Sequence, residues 1–438
     1  LLVMEKILLL QISGNGERKK VMQYRKVPKN GDQLSVLGYG CMRLPVRMGS
    51  INQKLAEKQI IYALNKGVNY FDTAVPYHNG KSEPFLGKVL SKNKCRDKVK
   101  IATKLPHWRS HSKADMDKIL DEQLSKLKTD RIDYYLIHAL NGELWETAKG
   151  NGVIAFLDDA LQKGKIINAG FSFHGLAEEF NGIVDDYDWT FCQIQYNYLD
   201  TQNQAGTSGL EYAASKDMAV IIMEPLRGGN LAKTPPPSIK DIWAKAEHKK
   251  TPVEWSLGWI WNHPEVTVVL SGMNDDNHIN ENLVLAEKAL PNSFSEKENQ
   301  LVEEAAAEFR RVMKVGCTSC QYCMPCPAGV NIPSCFEFYN SRHVFKDKAA
   351  KMMYHFFNGG IATDKPSMAS VCVQCEECLE KCPQHLPIPD LLNDVQEDME
   401  GFMTKPMIWL MKRVMKVRKK KKPSTSVSTG STDNDTKN

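Results

Sequence analysis

No apolar run in the 438 residues reaches the roughly 20 that a helical membrane span needs. The short run Ile7-Leu8-Leu9-Leu10 is too brief for a secretory core, and no small-residue cleavage site follows it. A cytoplasmic protein is expected. Also missing is a G-x-G-x-x-G after an early strand: Gly38 and Gly40 are followed by Arg43, not by a third glycine. That counts against an open dinucleotide-binding sheet. Acids are absent between Lys412 and Lys422, where eight Lys or Arg fall together; without them the net charge of +5 becomes 5 − 8 = −3. The body is therefore mildly acidic, and no nucleic-acid partner is expected. Cysteine is scarce through the first three hundred residues, with only Cys41, Cys95 and Cys192. The other nine of the twelve lie between Cys317 and Cys382. Dense, regularly spaced cysteines without a secretion signal favour metal or cluster binding over disulfides.

Hydrophobic residues make up 42% of the chain, enough for a sizeable core. Eight short β-branched runs alternate with amphipathic stretches between about residues 34 and 291. The strand candidates are Leu34–Cys41, Val68–Ala74, Val99–Lys104, Asp133–His138, Ile166–Phe173, Phe191–Asn197, Ala219–Pro225 and Val266–Gly272. Eight strands, each followed by a helix, predict an α/β fold: a closed parallel (β/α)8 TIM barrel. The barrel is assigned to residues 22–294 and a linking helix to 295–315. A small, mainly helical two-cluster domain is assigned to 316–400, and a basic amphipathic segment with a disordered tail to 401–438. Residues 1–21 are expected to be a non-native or disordered extension, since Met22 opens a stretch that reads like an ordinary cytosolic start. Asn141–Lys149 and Ala232–Lys250 are taken as loops without a readable code.

The two cysteine groups carry the most specific signal. The first is Cys317, Cys320, Cys323 and Cys326, followed by Pro327; the second is Cys372, Cys375, Cys378 and Cys382, followed by Pro383. The second matches C-x2-C-x2-C-x3-C-P, the run that ligates [4Fe–4S] clusters. Three cysteines at two-residue gaps bring thiolates to one cluster, and the fourth, turned away by its proline, ligates the other. The expected assignment is crossed: Cys317, Cys320, Cys323 and Cys382 on one cluster, Cys372, Cys375, Cys378 and Cys326 on the other. Structural zinc is the alternative, but it pairs two close cysteines per half-site, not three or four in succession. The first group departs from the pattern with x2 before Cys326. Cys335 is left as a spare thiol in a helix. The 45-residue spacer resembles the helical two-cluster domain of fumarate/succinate-reductase-type electron carriers.

Phe71-Asp72-Thr73-Ala74-Val75-Pro76-Tyr77, then Gly80, Ser82, Glu83 and Leu86-Gly87, resembles the signature of the aldo/keto reductase family. Ala102-Thr103-Lys104 and Leu136-Ile137-His138 resemble its other two landmarks. The whole chain is similar to a subgroup of that family with C-terminal iron–sulfur groups. Asp72, Lys104 and His138 fall at the C-terminal ends of successive strands, where a parallel barrel builds its active site. The resemblance implies that Tyr77 protonates a substrate carbonyl as hydride arrives from a nicotinamide. A phenol's ordinary pKa of about 10 suits neutral pH poorly. The Lys104 ammonium, held by Asp72, lowers it, and His138 orients the carbonyl.

The same resemblance implies NADPH or NADH extended across the barrel mouth. Gly40 and Met42 after strand one, and Ser172 on strand five, are expected to touch it. Gln193 or Gln195 is the strand-six amide partner. Met223 stands where many members have a stacking tyrosine, with Pro225 and Leu226 beside it. Ser271 and Gly272 follow strand eight, and Glu281 and Asn282 match the adenine-contacting pair. The segment after strand eight lacks the Lys and Arg that clamp a 2′-phosphate, so charge does not favour NADPH.

Three functions remain open at this point. The first is an NAD(P)-dependent oxidoreductase reducing a small carbonyl substrate, with electrons passing through two [4Fe–4S] clusters to a redox partner, a ferredoxin or flavoprotein. The second is a conventional carbonyl reductase with structural clusters. The third is an electron-carrier or docking protein with a catalytically silent barrel. For the basic tail, a solvated segment is favoured over membrane contact.

Overall fold

The computed structural model describes residues 22–361, 365–404, 406–410 and 412–413. The expected N-terminal extension and most of the basic tail lie outside them. The chain divides into two compact units, Leu1–Cys320 and Gln321–Asn438.

The first unit is built on eight parallel strands: β1 (Leu37–Gly40), β2 (Tyr70–Asp72), β3 (Lys100–Leu105), β4 (Ile132–Leu140), β5 (Ile166–Phe173), β6 (Phe191–Gln195), β7 (Ala219–Met223) and β8 (Val266–Ser271). They pair in sequence order, and β8 closes on β1 through Val269–Leu37, Leu270–Gly38 and Ser271–Tyr39. Alternation along the strands makes two apolar layers. Ile101, Tyr135, Ile137, Cys192 and Ile194 face the helices. Tyr70, Ala102, Tyr134, Phe191, Ile221 and Val268 fill the barrel.

The helices after the strands are α1 (Gln53–Asn65), α2 (Ser82–Lys92), α3 (Lys113–Leu127), α4 (Val153–Gln162), α5 (Ala177–Asp185), α6 (Gly206–Ser215), α7 (Pro252–Trp261) and α8 (Asp276–Ala286). Their ends follow local chemistry. Ser112 caps α3 by accepting from the Asp115 N–H, and Thr251 forms a capping box with Glu254 ahead of Pro252 in α7. Gly87 lets α2 approach α3: a Cβ there would fall 2.4 Å from the Lys126 carbonyl oxygen. The helix α9 (Glu296–Val312) opens on a second capping box, Ser295 with Glu298.

Two parts differ from the sequence expectation. The run Leu34–Cys41 is not one strand. Gln33–Ser35 pairs antiparallel with Tyr24–Lys26, and only Leu37–Gly40 enters the barrel. The hairpin brings Val27 and Leu34 into the interior layer, while Asp32 binds Lys100 and Tyr134 at the start of the strands. Loops taken as featureless hold helices Gly142–Gly150 and Pro237–Trp243.

Among its described residues the second unit has three main helices: α10 (Ile332–His343), α11 (Ala350–Phe357) and α12 (Ile388–Met399). Tyr354, fully buried, donates to Glu400 at 2.5 Å and accepts from the Ala369 N–H at 2.8 Å, which ties α11 to the segment after α12. Cys335 lies buried in α10, its thiol pushed up to about 12, chiefly by burial. No helix among the described residues is long and apolar enough to cross a membrane.

Candidate active site and cysteine loops

The strand ends of β2, β3 and β4 bring the four expected reactive side chains together. Lys104 is buried, and its ammonium donates to Asp72 Oδ2 at 2.6 Å, to the Thr73 carbonyl at 2.9 Å and to Tyr77 Oη at 3.5 Å. Burial raises the Asp72 carboxyl and Lys104 draws it back. The Tyr77 and His138 rings stand edge to face, 6.5 Å apart. His138 is held well below its ordinary value by burial first, then by the positive field of Lys104 and by His174 and His107. It is therefore a neutral imidazole at neutral pH.

The signature residues around these groups hold the frame. Glu83, buried, accepts from Thr103 Oγ1 at 2.7 Å and from Gln123 at 2.8 Å, and Gln123 also binds the Lys104 carbonyl. Thr73 donates to Ser82, which donates to the Cys41 carbonyl. His138 owes its direction to a bulge: β4 spends three residues from Ile137 to Leu140 where β5 spends two from Phe171 to Phe173. Ala139 takes φ 54°, and its N–H is caught by Ser172 Oγ at 2.7 Å. Ser172 thus pins the bulge that re-aims the imidazole.

The two glutamines of β6 differ. Gln195 donates to Asp200 at 2.9 Å and accepts from Gln204 at 3.0 Å. Gln193 donates to the Met223 sulfur at 3.5 Å, and its buried Oε1 has no partner. A carboxamide donor would satisfy that oxygen. Ser271 accepts from Asn282 at 2.9 Å, so these two expected contacts sit together. Glu281 instead takes a hydrogen bond from Thr251 at 3.1 Å. Gly40 leaves room beside Ser271: its absent Cβ would lie 3.4 Å from the Ser271 carbonyl. Met42 falls in the one-turn helix Cys41–Arg43, and Pro225 and Leu226 begin the loop after β7.

Three residues near this mouth escaped the sequence reading. Trp108, on a short turn after β3, is 45% exposed and lays its ring 5.2 Å from His138. Arg43 rests its stem against Gly272 and reaches Gly228 with its guanidinium. This puts a cation between the loops after β7 and β8, where no local Lys or Arg was found. Glu224, in the left-handed region at φ 56°, has its carboxyl pushed up to about 7 by burial, with Arg43 and Arg227 opposing.

The loop after β7 also braces the backbone on either side of the first cysteine, Cys317. Arg227 pairs with Asp200 at 2.9 Å and donates to the Gly316 carbonyl at 2.9 Å. Gly228, at φ 68°, packs so closely that a Cβ would meet the Thr318 carbonyl oxygen at 2.3 Å.

Both cysteine loops share one backbone pattern. Ser319 and Gln321 between Cys317 and Cys323 have φ 56° and 69°; Gln374 and Glu376 between Cys372 and Cys378 have φ 57° and 63°. In each loop the second residue after the first cysteine donates its N–H to that cysteine's sulfur at 3.4 Å. Non-glycine residues in this region cost about 1–3 kcal/mol each and persist where something else fixes the loop. In the second unit Cys323, Cys326, Cys372, Cys375 and Cys378 line one hollow. The Cys378 thiol is pushed up to about 11 by burial and then by Cys372, Cys326 and Cys375. A thiol pushed up by burial and by neighbouring thiols suits a group that binds it as a thiolate and supplies positive charge.

Comparison with known proteins follows the same division. The profile of the aldo/keto reductase family matches residues 36–306, and that of the 4Fe-4S dicluster domain matches 316–386. The chain is 32% identical over 125 residues to Aldo-keto reductase YhdN of Bacillus subtilis, covering 27% of this chain and 38% of that protein. It is 22% identical over 210 residues to Aldo-keto reductase yakc of Schizosaccharomyces pombe, whose name carries NADP(+), covering 46% and 60%. The chain thus spans less than two thirds of either relative. A solved aldo-keto reductase of Bacillus halodurans, in its holo form, shares the fold with a TM-score of 0.54 at 22% identity, covering 65% of this chain and 96% of that one.

Proposed function

Since the chain belongs to the aldo/keto reductase family and carries a 4Fe-4S dicluster domain behind its barrel, we propose that it is an iron–sulfur oxidoreductase that reduces a small carbonyl compound with NADPH or NADH and exchanges electrons with a redox partner through two [4Fe–4S] clusters. The contact of Lys104 with both Asp72 and Tyr77 carries this reading.

When bound, the nicotinamide supplies a hydride and the clusters pass single electrons. The chain's part is proton and charge management. Tyr77 Oη gives its proton to the carbonyl oxygen as that oxygen gains charge. Lys104 stabilises the phenolate left behind, and Asp72 keeps the ammonium in place. Neutral His138 donates a hydrogen bond to the same oxygen, and the exposed face of Trp108 packs on the substrate. Gln193 takes the carboxamide of the nicotinamide on its spare oxygen, since Gln195 is committed to Asp200 and Gln204. Arg43 supplies a cation for the cofactor's phosphates. The balance is carbonyl plus NAD(P)H plus one proton to alcohol plus NAD(P)+.

For the clusters, the crossed ligand sets are retained. Cys326, Cys372, Cys375 and Cys378 line one hollow, which Cys323 of the other set also borders, and Cys317, Cys320, Cys323 and Cys382 make up that other set. The loop after β7 holds the Gly316–Thr318 segment in which the first cysteine stands. A flavin on the redox partner would convert between the hydride pair and the single-electron carriers.

Anaerobic purification with iron and sulfide analysis tests the proposal, followed by NADPH or NADH while cluster absorbance is recorded. About eight irons per chain, with bleaching on nicotinamide addition in the partner's presence, is the expected result. Colourless or zinc-only protein would overturn it.

A further inference from the structure

We propose that the end of the second unit is a docking surface for an anionic lipid bilayer. After α12 the chain turns, and the short helical stretch that follows holds to the unit through Thr404 and Ile408, which are 5% and 7% exposed. Gly359 makes room for this: a Cβ there would fall 2.7 Å from Ile408 Cδ1. The neighbouring apolar side chains face water. Phe402 is 93% exposed, Trp409 60%, Met403 58%, Leu410 56% and Met407 37%. Other exposed large apolar side chains among the described residues are scattered along the sequence, whereas these five fall within nine residues. Singly exposed apolar residues are ordinary; a contiguous set marks an interaction site.

Charge identifies the occupant. The patch runs straight into eight Lys or Arg between Lys412 and Lys422 with no acid among them, and the Arg413 guanidinium lies 5.3 Å from the Trp409 ring. Trp, Phe, Leu and Met beside a dense cationic run suit the boundary between acyl chains and acidic headgroups. A bilayer demands no matching groove. The attachment is peripheral, because no described helix can span. Sequence pattern alone favours a solvated segment here; the exposure of Trp409, Leu410 and Phe402 reverses that preference. The inference stands apart from the barrel's chemistry and brings the cysteine unit to a membrane surface.

The test uses the full chain, purified without oxygen, floated with vesicles of phosphatidylcholine alone or mixed with phosphatidylglycerol. Wild type is expected to float with the mixed vesicles only, and less as salt rises. Trp409→Ser with Leu410→Ser is expected to weaken partitioning by at least roughly tenfold, from the apolar area withdrawn. Glutamine at Lys419, Lys420, Lys421 and Lys422 is expected to remove the preference for phosphatidylglycerol. Cluster absorbance and barrel turnover should be unchanged in both variants, which separates lost docking from lost folding. No flotation of wild type, or flotation indifferent to both variants, overturns the proposal. Retention on polyglutamate without flotation also overturns it, in favour of an acidic protein partner.

Discussion

In the barrel, each reactive side chain is placed by partners the chain itself supplies. Lys104 rests on Asp72 and Thr73, His138 is aimed by a bulge that Ser172 pins, and Glu83 ties β3 to α3 through Gln123. In the second unit Cys326, Cys372, Cys375 and Cys378 line one hollow with Cys323, and the loops that present them hold left-handed residues, among them Gln321, Gln374 and Glu376. One region is finished by folding. The other is finished by what it binds. The two should therefore respond differently to removal of iron, to substitution and to acid.

The sharpest contrast is expected on iron removal. Anaerobic chelation should melt the second unit's helices, followed by circular dichroism, while the barrel's thermal transition stays, because cluster binding is folding free energy for a small unit. Cys375→Ser should remove about half the iron by colorimetric analysis. A barrel that melts along with the clusters would erase the distinction. Next in size, Tyr77→Phe should lower kcat by about 10²–10⁴-fold with the iron content unchanged, as steady-state kinetics would register. Lys104→Met should cost about 3–5 kcal/mol in urea unfolding of the barrel, because it strands a buried carboxylate. Adding Asp72→Asn should recover most of that loss.

Acid gives a smaller effect on the barrel, and His355 of the second unit is likewise held below its ordinary value, chiefly by burial. His138 and His107 are kept below the ordinary 6.5, His107 at about 4, in both cases chiefly by burial. Unfolding lets both bind protons, so their stabilising contribution is complete above 6.5 and is lost as pH falls towards 4. His107→Asn should flatten that loss in melts run from neutral pH downwards. The smallest change is Ser172→Ala, about 1 kcal/mol. It frees the Ala139 N–H and should reduce kcat more than it alters KM.

The strands were legible because β-branched runs alternated with helical patterns, and each barrel strand falls within or within two residues of its expected run. The first strand was overextended because Leu34 to Cys41 carries no charge and no proline to mark a break, and only the chain's turn at Val36 divides hairpin from barrel. The helix Gly142–Gly150 had a readable start, since Asn141 accepts from the Leu144 N–H as a cap, but its few residues hide the period. Asp72, Tyr77, Lys104 and His138 were readable as motif residues at strand ends. Arg43, Trp108 and Glu224 also follow barrel strands closely, but no motif marks them, and the contacts of Trp108 with His138 and of Arg43 with Gly272 and Gly228 come from other loops. Both cysteine groups could be found by spacing, whereas the matched left-handed turns within them had no signature in residue type.

The grip of Arg227 on Gly316 decides where the protein can be cut. A chain stopped after Val315, where length alone would end the barrel, removes the carbonyl that this inward guanidinium holds and the backbone that shields Gly228. Such a truncate would expose a raw edge at the rim and report on damage instead of on an isolated reductase. Dissection that keeps the rim whole runs through Cys320 and carries two orphaned thiols with it. A foreign cluster domain joined there would need its own replacement for the Gly316–Thr318 strip.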